Sequence, residues 1–147
     1  MSAANLALVK PGTSIKAVMR TPVATVTTDA SLADVVEILA SNEIGAVAVI
    51  RRGVVIGVIS ERDIVAQVAM HVDFDVTTAG DVMSTDLLTV GATETIISAA
   101  ERANAALVRH LPVVDDHGAP VGFVSVRDLL TVLIAATATD ADAASGS

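Results

Sequence analysis

The two halves of the chain repeat one another. Sliding the sequence by 64 positions aligns "IKAVM", residues 15–19, with "AGDVM", residues 79–83. It also aligns "GAVAVI", residues 45–50, with "RHLPVV", residues 109–114. One additional residue in the turn "DDHG" shifts the alignment to 65, where "GVISERDIV" matches "GFVSVRDLL". Because the duplication spans nearly all of residues 15–136, the chain must fold as two copies of one unit.

Each copy predicts the same order of secondary structure. A short alternating strand, "VATV" in the first copy, precedes a segment with apolar residues at helical spacing, "SLADVVEILASN". Two apolar runs joined by a short turn that ends in glycine, "RRG" or "DDHG", predict a hairpin of two strands. A second helix begins at the serine of "GVISERD" or "GFVSVRD". We therefore expect β-α-β-β-α in each copy.

This order predicts a fold of the α+β class. The crossover helix makes the strands on either side of it parallel, and the tight turn adds an antiparallel strand. One copy of about 60 residues buries too little surface to be stable alone, so we expect two pseudo-symmetric repeats packed sheet to sheet. Pro112 falls inside a predicted strand, where its missing N–H group indicates an edge or a bulge.

The repeats also divide the chain into segments. We expect an N-terminal lead-in at residues 1–14, the first repeat at 15–70, a polar linker at 71–78 and the second repeat at 79–136. The remaining residues, 137–147, are "TATDADAASGS". Because this segment lacks large apolar side chains, it predicts a disordered tail.

Composition limits the classes of function. Apolar residues make up 52% of the chain, but there are two Phe and no Tyr or Trp, so the core must be aliphatic. The absence of cysteine excludes disulfides and thiol catalysis. A net charge of −8 argues against nucleic acid as a partner, because duplex binding needs a basic face. We see no secretory leader and no apolar run long enough to cross a membrane, so we expect a soluble cytoplasmic protein.

The motif at the start of each second helix permits two interpretations. Ser60 and Asp63 have the S-x-x-D spacing of a capping box, and Ser125 and Asp128 repeat it. Capping explains these residues, but it explains less well the glycine three residues before each serine. Glycine in a strand often marks a place where another group approaches the backbone closely. The repetition of the whole motif favours a ligand site at both positions.

A nucleoside phosphate suits this motif chemically. The serine hydroxyl and free N–H groups at a helix N-terminus can hold a phosphate. A carboxylate one turn further on can accept two hydrogen bonds from a ribose diol. Arg62 and Arg127, directly before the two aspartates, are either solvated side chains or phosphate contacts.

With these motifs, the sequence resembles a pair of CBS domains, named after cystathionine beta-synthase and often called a Bateman module. The strongest local match is "RHLPVVDDHGAPVGFVSVRDLL", followed by "GVISERDIV". The resemblance implies a stand-alone regulatory module that binds the adenosine nucleotides AMP, ADP or ATP, with no other cofactor and no metal. The alternatives are S-adenosylmethionine, NAD, a cyclic dinucleotide, or an interaction scaffold that binds no ligand.

The resemblance also implies which residues form the two pockets. It assigns the aspartate of each motif to the ribose hydroxyls, the serine to phosphate, and residues of the opposite repeat to adenine. The Asp63 pocket would contain Gly57, Ser60, Arg62, Asp63, Met83, Asp86, Leu88, Val108, Arg109 and His110. The Asp128 pocket would contain Gly122, Ser125, Arg127, Asp128, Met19, Pro22, Ala24, Ile44, Gly45 and Ala46.

The two implied pockets differ in charge. Arg109 and His110 of the second repeat correspond to Gly45 and Ala46 of the first. The Asp63 pocket alone would gain these two donors beside a phosphate, and each charge-assisted hydrogen bond contributes about 1.5–3 kcal/mol. We therefore predict that the Asp63 pocket is the main nucleotide site.

We do not expect an enzyme. The sequence offers no nucleophile paired with a base and no metal-binding set above chance. A regulatory module needs a target, which we expect to be a separate, unknown protein. Apolar residues of the last helix, Leu129, Leu130 and Leu133, together with the pairing of modules in the family, predict a homodimer.

Overall fold

The structure is a computed structural model that describes Leu6, residues 8–42 and residues 44–145, without the side chains of Thr139 and residues 141–145. Both repeats show the predicted order β-α-β-β-α, and the α+β class is confirmed. In chain order the elements are a 3-10 helix at Ile15–Ala17, β1 (Thr25–Thr27), α1 (Leu32–Asn42), β2 (Ala46–Arg51), β3 (Val54–Ser60), α2 (Glu61–Ala69), α3 (Ala79–Val82), β4 (Val90–Gly91), α4 (Ile96–Ala106), β5 (His110–Val114), β6 (Pro120–Ser125) and α5 (Val126–Ser145).

The first sheet contains β1, β2 and β3 in that order. β1 and β2 are parallel, and β2 and β3 are antiparallel, as the crossover helix and the tight turn predict. The register pairs Ala46 with Ser60 at one end of the hairpin and Arg51 with Val54 at the other. This register places Ser60 at the end of β3, directly before the first residue of α2.

The second sheet contains β4, β5 and β6, again with the hairpin strand at one edge. Pro112 lies in β5, the middle strand, so the prediction of an edge position is wrong. At the corresponding position of the first sheet, the N–H group of Ala48 donates to the carbonyl of Ala24 (3.1 Å). Proline has no N–H group for this bond. Proline is tolerated in the middle strand because it removes only one hydrogen bond of the ladder. The neighbouring strand β4 is also one residue shorter than β1.

The chain forms two compact units whose boundaries differ from those of the sequence repeats. The terminal unit contains the described residues of Met1–Thr21, Leu88–Val113 and Val121–Ser147. The central unit contains Pro22–Leu87, with its described residues, and Val114–Pro120. The segment that opens each repeat therefore packs with the main elements of the other repeat.

Backbone hydrogen bonds hold each exchanged segment in place. In the terminal unit, Ser14 and Thr95 form an antiparallel bridge, and the N–H of Ile15 donates to the carbonyl of Glu94 (2.7 Å). In the central unit, Ser31 and Thr78 form the equivalent bridge. The two bridges join corresponding positions at the spacing of 64, so the exchange follows the internal repeat.

Each unit has its own aliphatic core, as the composition predicts. Burial of these side chains drives folding, with about 25 cal/mol for each Å² of apolar surface removed from water. The core of the terminal unit contains Leu6, Ile15, Val18, Val90, Ile96, Ala99, Ala103, Leu111, Val113, Val124, Leu129 and Val132. The core of the central unit contains Val26, Val35, Leu39, Val47, Val49, Ile59 and Ala79.

Helix α5 extends further than its composition suggests. It runs from Val126 to Ser145, which corrects the prediction of disorder for residues 137–145. The segment is rich in alanine and contains no Gly or Pro before Gly146, so it continues the helix that its packed first turns begin. Gly146 and Ser147 lie outside the described residues. No helix in the described part of the chain combines the length and hydropathy needed to span a membrane.

Candidate functional site

The Asp63 corner, where β3 meets α2, forms a complete capping box. Ser60 is extended (φ −101°, ψ 164°), and its Oγ accepts the N–H of Asp63 (3.2 Å). In return, Oδ2 of Asp63 accepts the N–H of Ser60 (2.8 Å) and its hydroxyl (3.0 Å). All of these bonds to the carboxylate therefore use one oxygen, Oδ2.

The Asp128 corner, where β6 meets α5, forms only half of this arrangement. Oγ of Ser125 accepts the N–H of Asp128 (3.2 Å), as in the first corner. The carboxylate of Asp128 instead faces Arg20, with 3.2 Å from Nε to Oδ2 and 3.5 Å from the terminal nitrogen NH2 to Oδ1. The side chain of Asp128 is 10% exposed and that of Arg20 is 54% exposed. The same motif thus directs its acid to a different partner.

A methionine explains the glycine of each motif. A Cβ atom at Gly57 would lie 2.5 Å from Sδ of Met83, and one at Gly122 would lie 2.6 Å from Sδ of Met19. Real Cβ atoms essentially never approach other atoms this closely, so any other residue at either position would require the methionine to shift. The close approach that the sequence predicts is therefore present, but in this structure a methionine side chain makes it.

The residue after each methionine bonds to the hairpin strand through its backbone. Ser84 exchanges two hydrogen bonds with Val58, of 2.9 Å and 3.1 Å. Arg20 exchanges two with Phe123, of 2.8 Å and 3.1 Å. Arg20 and Ser84 correspond to each other at the spacing of 64, so the backbone offers the same side-chain position at both corners.

The N-terminal N–H groups of the two helices are less available than the sequence suggests. The N–H of Glu61 donates to the carbonyl of Gly45 (2.9 Å), and the N–H of Val126 donates to the carbonyl of Arg109 (2.8 Å). At each corner the serine hydroxyl accepts another of these groups, the N–H of the motif aspartate. The expectation of free helix N–H groups for a phosphate is therefore wrong for these donors. A phosphate here would have to use other donors.

The structure divides each predicted pocket between the two units. It brings together Gly57, Ser60, Asp63 and Met83 in the central unit, and Met19, Gly122, Ser125 and Asp128 in the terminal unit. Arg62 and Asp86, both exposed, belong to the central unit, and exposed Arg127 belongs to the terminal unit. The Asp63 set also includes Leu88, Val108, Arg109 and His110 of the terminal unit, and the Asp128 set includes Pro22, Ala24, Ile44, Gly45 and Ala46 of the central unit.

Sequence reasoning missed Arg20. Its available signal is the comparison of "KAVMR" with "GDVMS", in which a charged residue replaces a serine after the shared "VM". The ion pair itself joins residues 108 positions apart, and no local pattern predicts such a pair.

The terminal unit also carries an apolar groove between α4 and α5. It has a volume of about 580 Å³. Its lining includes Leu107, Val108, Arg109, Val126 and Leu130. Val108 and Arg109, which the family resemblance assigns to a nucleotide pocket, therefore border this groove.

Comparison with known proteins agrees with this arrangement of repeats. The family model of the CBS domain matches residues 15–69 and again residues 79–135, which together make up most of the chain. The chain belongs to the CBS domain family. The tandem CBS pair that the sequence predicts is thereby confirmed.

Similar proteins include a CBS domain-containing protein of comparable length. The CBS domain-containing protein YhcV of Bacillus subtilis is 29% identical over 116 residues, covering 79% of this chain and 82% of the relative. Among solved structures, a CBS domain protein from Pyrobaculum aerophilum complexed with AMP is 30% identical, with a TM-score of 0.75, covering 84% of this chain and 98% of that one. The CBS pair of protein MJ0100, complexed with 5′-methylthioadenosine and S-adenosyl-L-methionine, has a TM-score of 0.75 at 23% identity, covering 84% and 97%.

Proposed function

We propose that this CBS pair is a regulatory module that binds adenosine nucleotides at its Asp63 and Asp128 corners. The observation that carries the proposal is the repeated placement of an aspartate carboxylate at a strand-to-helix corner, beside a glycine and a methionine. The 30% identical Pyrobaculum aerophilum protein supports the nucleotide class, because its structure contains AMP.

The Asp63 corner is the better prepared of the two for a ribose diol. A carboxylate can accept about four hydrogen bonds, and those that Asp63 accepts from Ser60 use Oδ2. Asp63 is only partly buried. A diol can therefore approach the carboxylate while the capping box stays intact, so binding does not compete with the start of the helix.

The phosphates of the ligand would be held by side chains of the first helical turn. The arginine before each aspartate, Arg62 or Arg127, is exposed and adjacent to the carboxylate in sequence. Ser60 can also donate its hydroxyl to a phosphate, but it then gives up its bond to Asp63. AMP, ADP and ATP differ in how many oxygens they present to these donors.

We also propose that the protein acts as a homodimer. The last helix exposes Leu130 (49%) and Ile134 (66%), and Leu130 borders the apolar groove between α4 and α5. Leu129 lines the same groove but is fully buried in the core of the terminal unit, so it adds no exposed surface for association. Exposed apolar groups of this kind favour association with a second copy.

In our proposal the protein catalyses no reaction and works in the cytoplasm by transmitting nucleotide binding to a separate protein. A ligand can change the conformation only through different affinities for two states. Incubation with ATP should return the nucleotide unchanged, as measured by chromatography. Turnover of ATP would contradict this part of the proposal.

The proposal is tested by native mass spectrometry of the freshly purified protein, followed by calorimetry with AMP, ADP, ATP and S-adenosylmethionine. We expect a dimer mass with retained adenosine nucleotide, or saturable binding of at least one nucleotide. A protein that binds none of the three nucleotides would overturn the nucleotide assignment. Binding of S-adenosylmethionine alone would transfer the site to that ligand class.

A further inference from the structure

The ion pair between Arg20 and Asp128 lies at the atoms that our proposed function assigns to the ligand. The two guanidinium nitrogens reach both carboxylate oxygens, at 3.2 Å and 3.5 Å. A ribose diol would have to donate to these oxygens, and at this corner, unlike at Asp63, each of the two already accepts a guanidinium nitrogen. We propose, on the basis of that function, that Arg20 is an internal competitor, so that ligand binds the Asp128 corner only after displacing the Arg20 guanidinium.

The two partners of this ion pair differ in exposure. The side chain of Asp128 is 10% exposed, whereas that of Arg20 is 54% exposed. The arginine is therefore the exposed partner of the pair, and its guanidinium contacts both oxygens of a carboxylate that has little exposed surface of its own. A ligand that binds Asp128 cannot leave this contact unchanged.

The Asp63 corner lacks this competitor because of one side chain. Ser84 occupies the position that corresponds to Arg20, with the same pair of backbone bonds to the hairpin strand. A serine side chain is too short to reach across to a carboxylate as arginine does, and it carries no charge. Asp63 instead bonds to its own helix cap. The difference between Arg20 and Ser84 therefore determines whether the carboxylate at the corner is paired, as in Asp128, or accessible, as in Asp63.

The two corners permit a reciprocal exchange of this side chain. In an Asp63→Asn background, which leaves the Asp128 corner as the site, Arg20→Ser should strengthen AMP binding by about three- to tenfold. In an Asp128→Asn background, Ser84→Arg should weaken AMP binding at the Asp63 corner by a similar factor. These factors correspond to a partly exposed, two-contact ion pair. Calorimetry measures both, and thermal melting confirms that each variant is folded.

Lys16→Ser is the matched control for charge. Lys16 lies in the same segment as Arg20 and is exposed. Its replacement by serine removes the same positive charge but leaves the ion pair with Asp128 in place. Loss of a positive charge alone should weaken the binding of an anionic nucleotide, opposite to the effect expected for Arg20→Ser. Raising the salt concentration should reduce the gain from Arg20→Ser, because salt screens the ion pair.

The outcomes separate this inference from the proposed function. If the wild-type protein binds AMP but Arg20→Ser leaves the AMP affinity of the Asp128 corner unchanged or lower, Arg20 is not a competitor. The proposed nucleotide function then stands. An equal gain with Lys16→Ser would also overturn the inference, since the effect would then be general charge. If neither the wild-type protein nor any variant binds AMP, ADP or ATP, both proposals fail together.

Discussion

The two strand-to-helix corners share a motif, a backbone path and a glycine–methionine contact, but their acids have different partners. Asp63 closes a capping box with Ser60. Asp128 pairs with Arg20, which belongs to the segment that opens the other repeat. The difference therefore arises outside the motif. A duplicated motif conserves local geometry, whereas a neighbouring side chain decides whether its functional group is available.

The largest expected effect is on nucleotide binding at the two acids. Asp63→Asn should weaken AMP binding at least about tenfold, because two charge-assisted hydrogen bonds to the diol lose their charge. Asparagine keeps an Oδ1 atom that can accept the N–H of Ser60, and Ser60 remains the N-cap, so folding should be retained. Asp128→Asn should have a smaller effect, because that acid is already engaged by Arg20. Calorimetry on both variants provides the comparison.

Glu37→Gln is the control for this pair of variants, since it removes one exposed carboxylate from the middle of α1. It should leave AMP binding unchanged. Equal losses for the Asp63 and Asp128 variants would contradict the proposed inequality of the corners.

The next effect is on stability, through the glycine of each corner. Gly57→Ala places a methyl group against Met83, and Gly122→Ala places one against Met19. Overpacking of this kind costs about 1–3 kcal/mol. Urea denaturation should show a lower free energy of unfolding for both variants, by similar amounts, because both contacts are equally close.

A double variant identifies the cause of this loss. Met83→Ala removes Sδ and Cγ, two of the three atoms that the new methyl group meets, and keeps Cβ at 2.9 Å, so it should recover part of the stability lost in Gly57→Ala. Gly91→Ala is the matched control, because a Cβ atom there meets nothing within 4 Å. It should be neutral or slightly stabilising. A loss at Gly91 as large as that at Gly57 would show that the loss does not depend on the contact with methionine.

Sequence patterns predicted the elements well because those patterns are local. The spacing of apolar residues in α1 and the turn after β2 depend on a few neighbouring residues, and the duplication checks each prediction twice. Both corners were located in the same way, from Ser60, Asp63 and their counterparts. Burial of a side chain such as Leu129 was missed, because the pattern gives an apolar stripe but not its exact partner.

Residue patterns did not predict the features that depend on distant contacts; only the resemblance to CBS domains placed Met83 with the Asp63 motif and Met19 with the Asp128 motif. The exchange of opening segments between repeats rests on bridges such as Ser14 with Thr95, which are 81 positions apart by their numbers. The pairing of Arg20 with Asp128 spans 108 positions. No local pattern in these segments indicates which distant residue they contact. Sequence patterns therefore assigned no partner to the carboxylate of Asp128.

A smaller effect should distinguish the two helix caps. Ser60→Ala removes both the acceptor for the N–H of Asp63 and a donor to its carboxylate, whereas Ser125→Ala removes the acceptor for the N–H of Asp128. Loss of a cap costs about 1 kcal/mol. We expect Ser60→Ala to be the more destabilising in urea denaturation, with a difference of a few tenths of that cost. A larger loss from Ser125→Ala would show that the second corner depends more on its cap.

The smallest expected effect concerns the opening segments themselves. Asp81 accepts the N–H of Thr78 (3.0 Å) at the start of α3, and this bond, with that of the Thr78 side chain, lowers the pKa of Asp81 below its usual 3.8. The corresponding residue at the spacing of 64 is Ala17, the last residue of the 3-10 helix, which has no carboxyl group. The two opening segments therefore differ in their response to acid.

Because the pKa of Asp81 is lower in the folded state, its carboxylate stabilises the fold above the unfolded pKa, and this contribution is lost as the pH falls through the folded pKa. Asp81→Asn should therefore show a flatter decline of unfolding free energy than the wild-type protein from about pH 5 to about pH 2. Carbon-detected NMR titration of the Asp81 carboxyl provides a direct reading. A titration midpoint at or above the usual value for aspartate would mean that the hydrogen bonds between Asp81 and Thr78 do not form in solution. Because Asp81 is exposed, these bonds are the most easily lost of the differences between the two repeats.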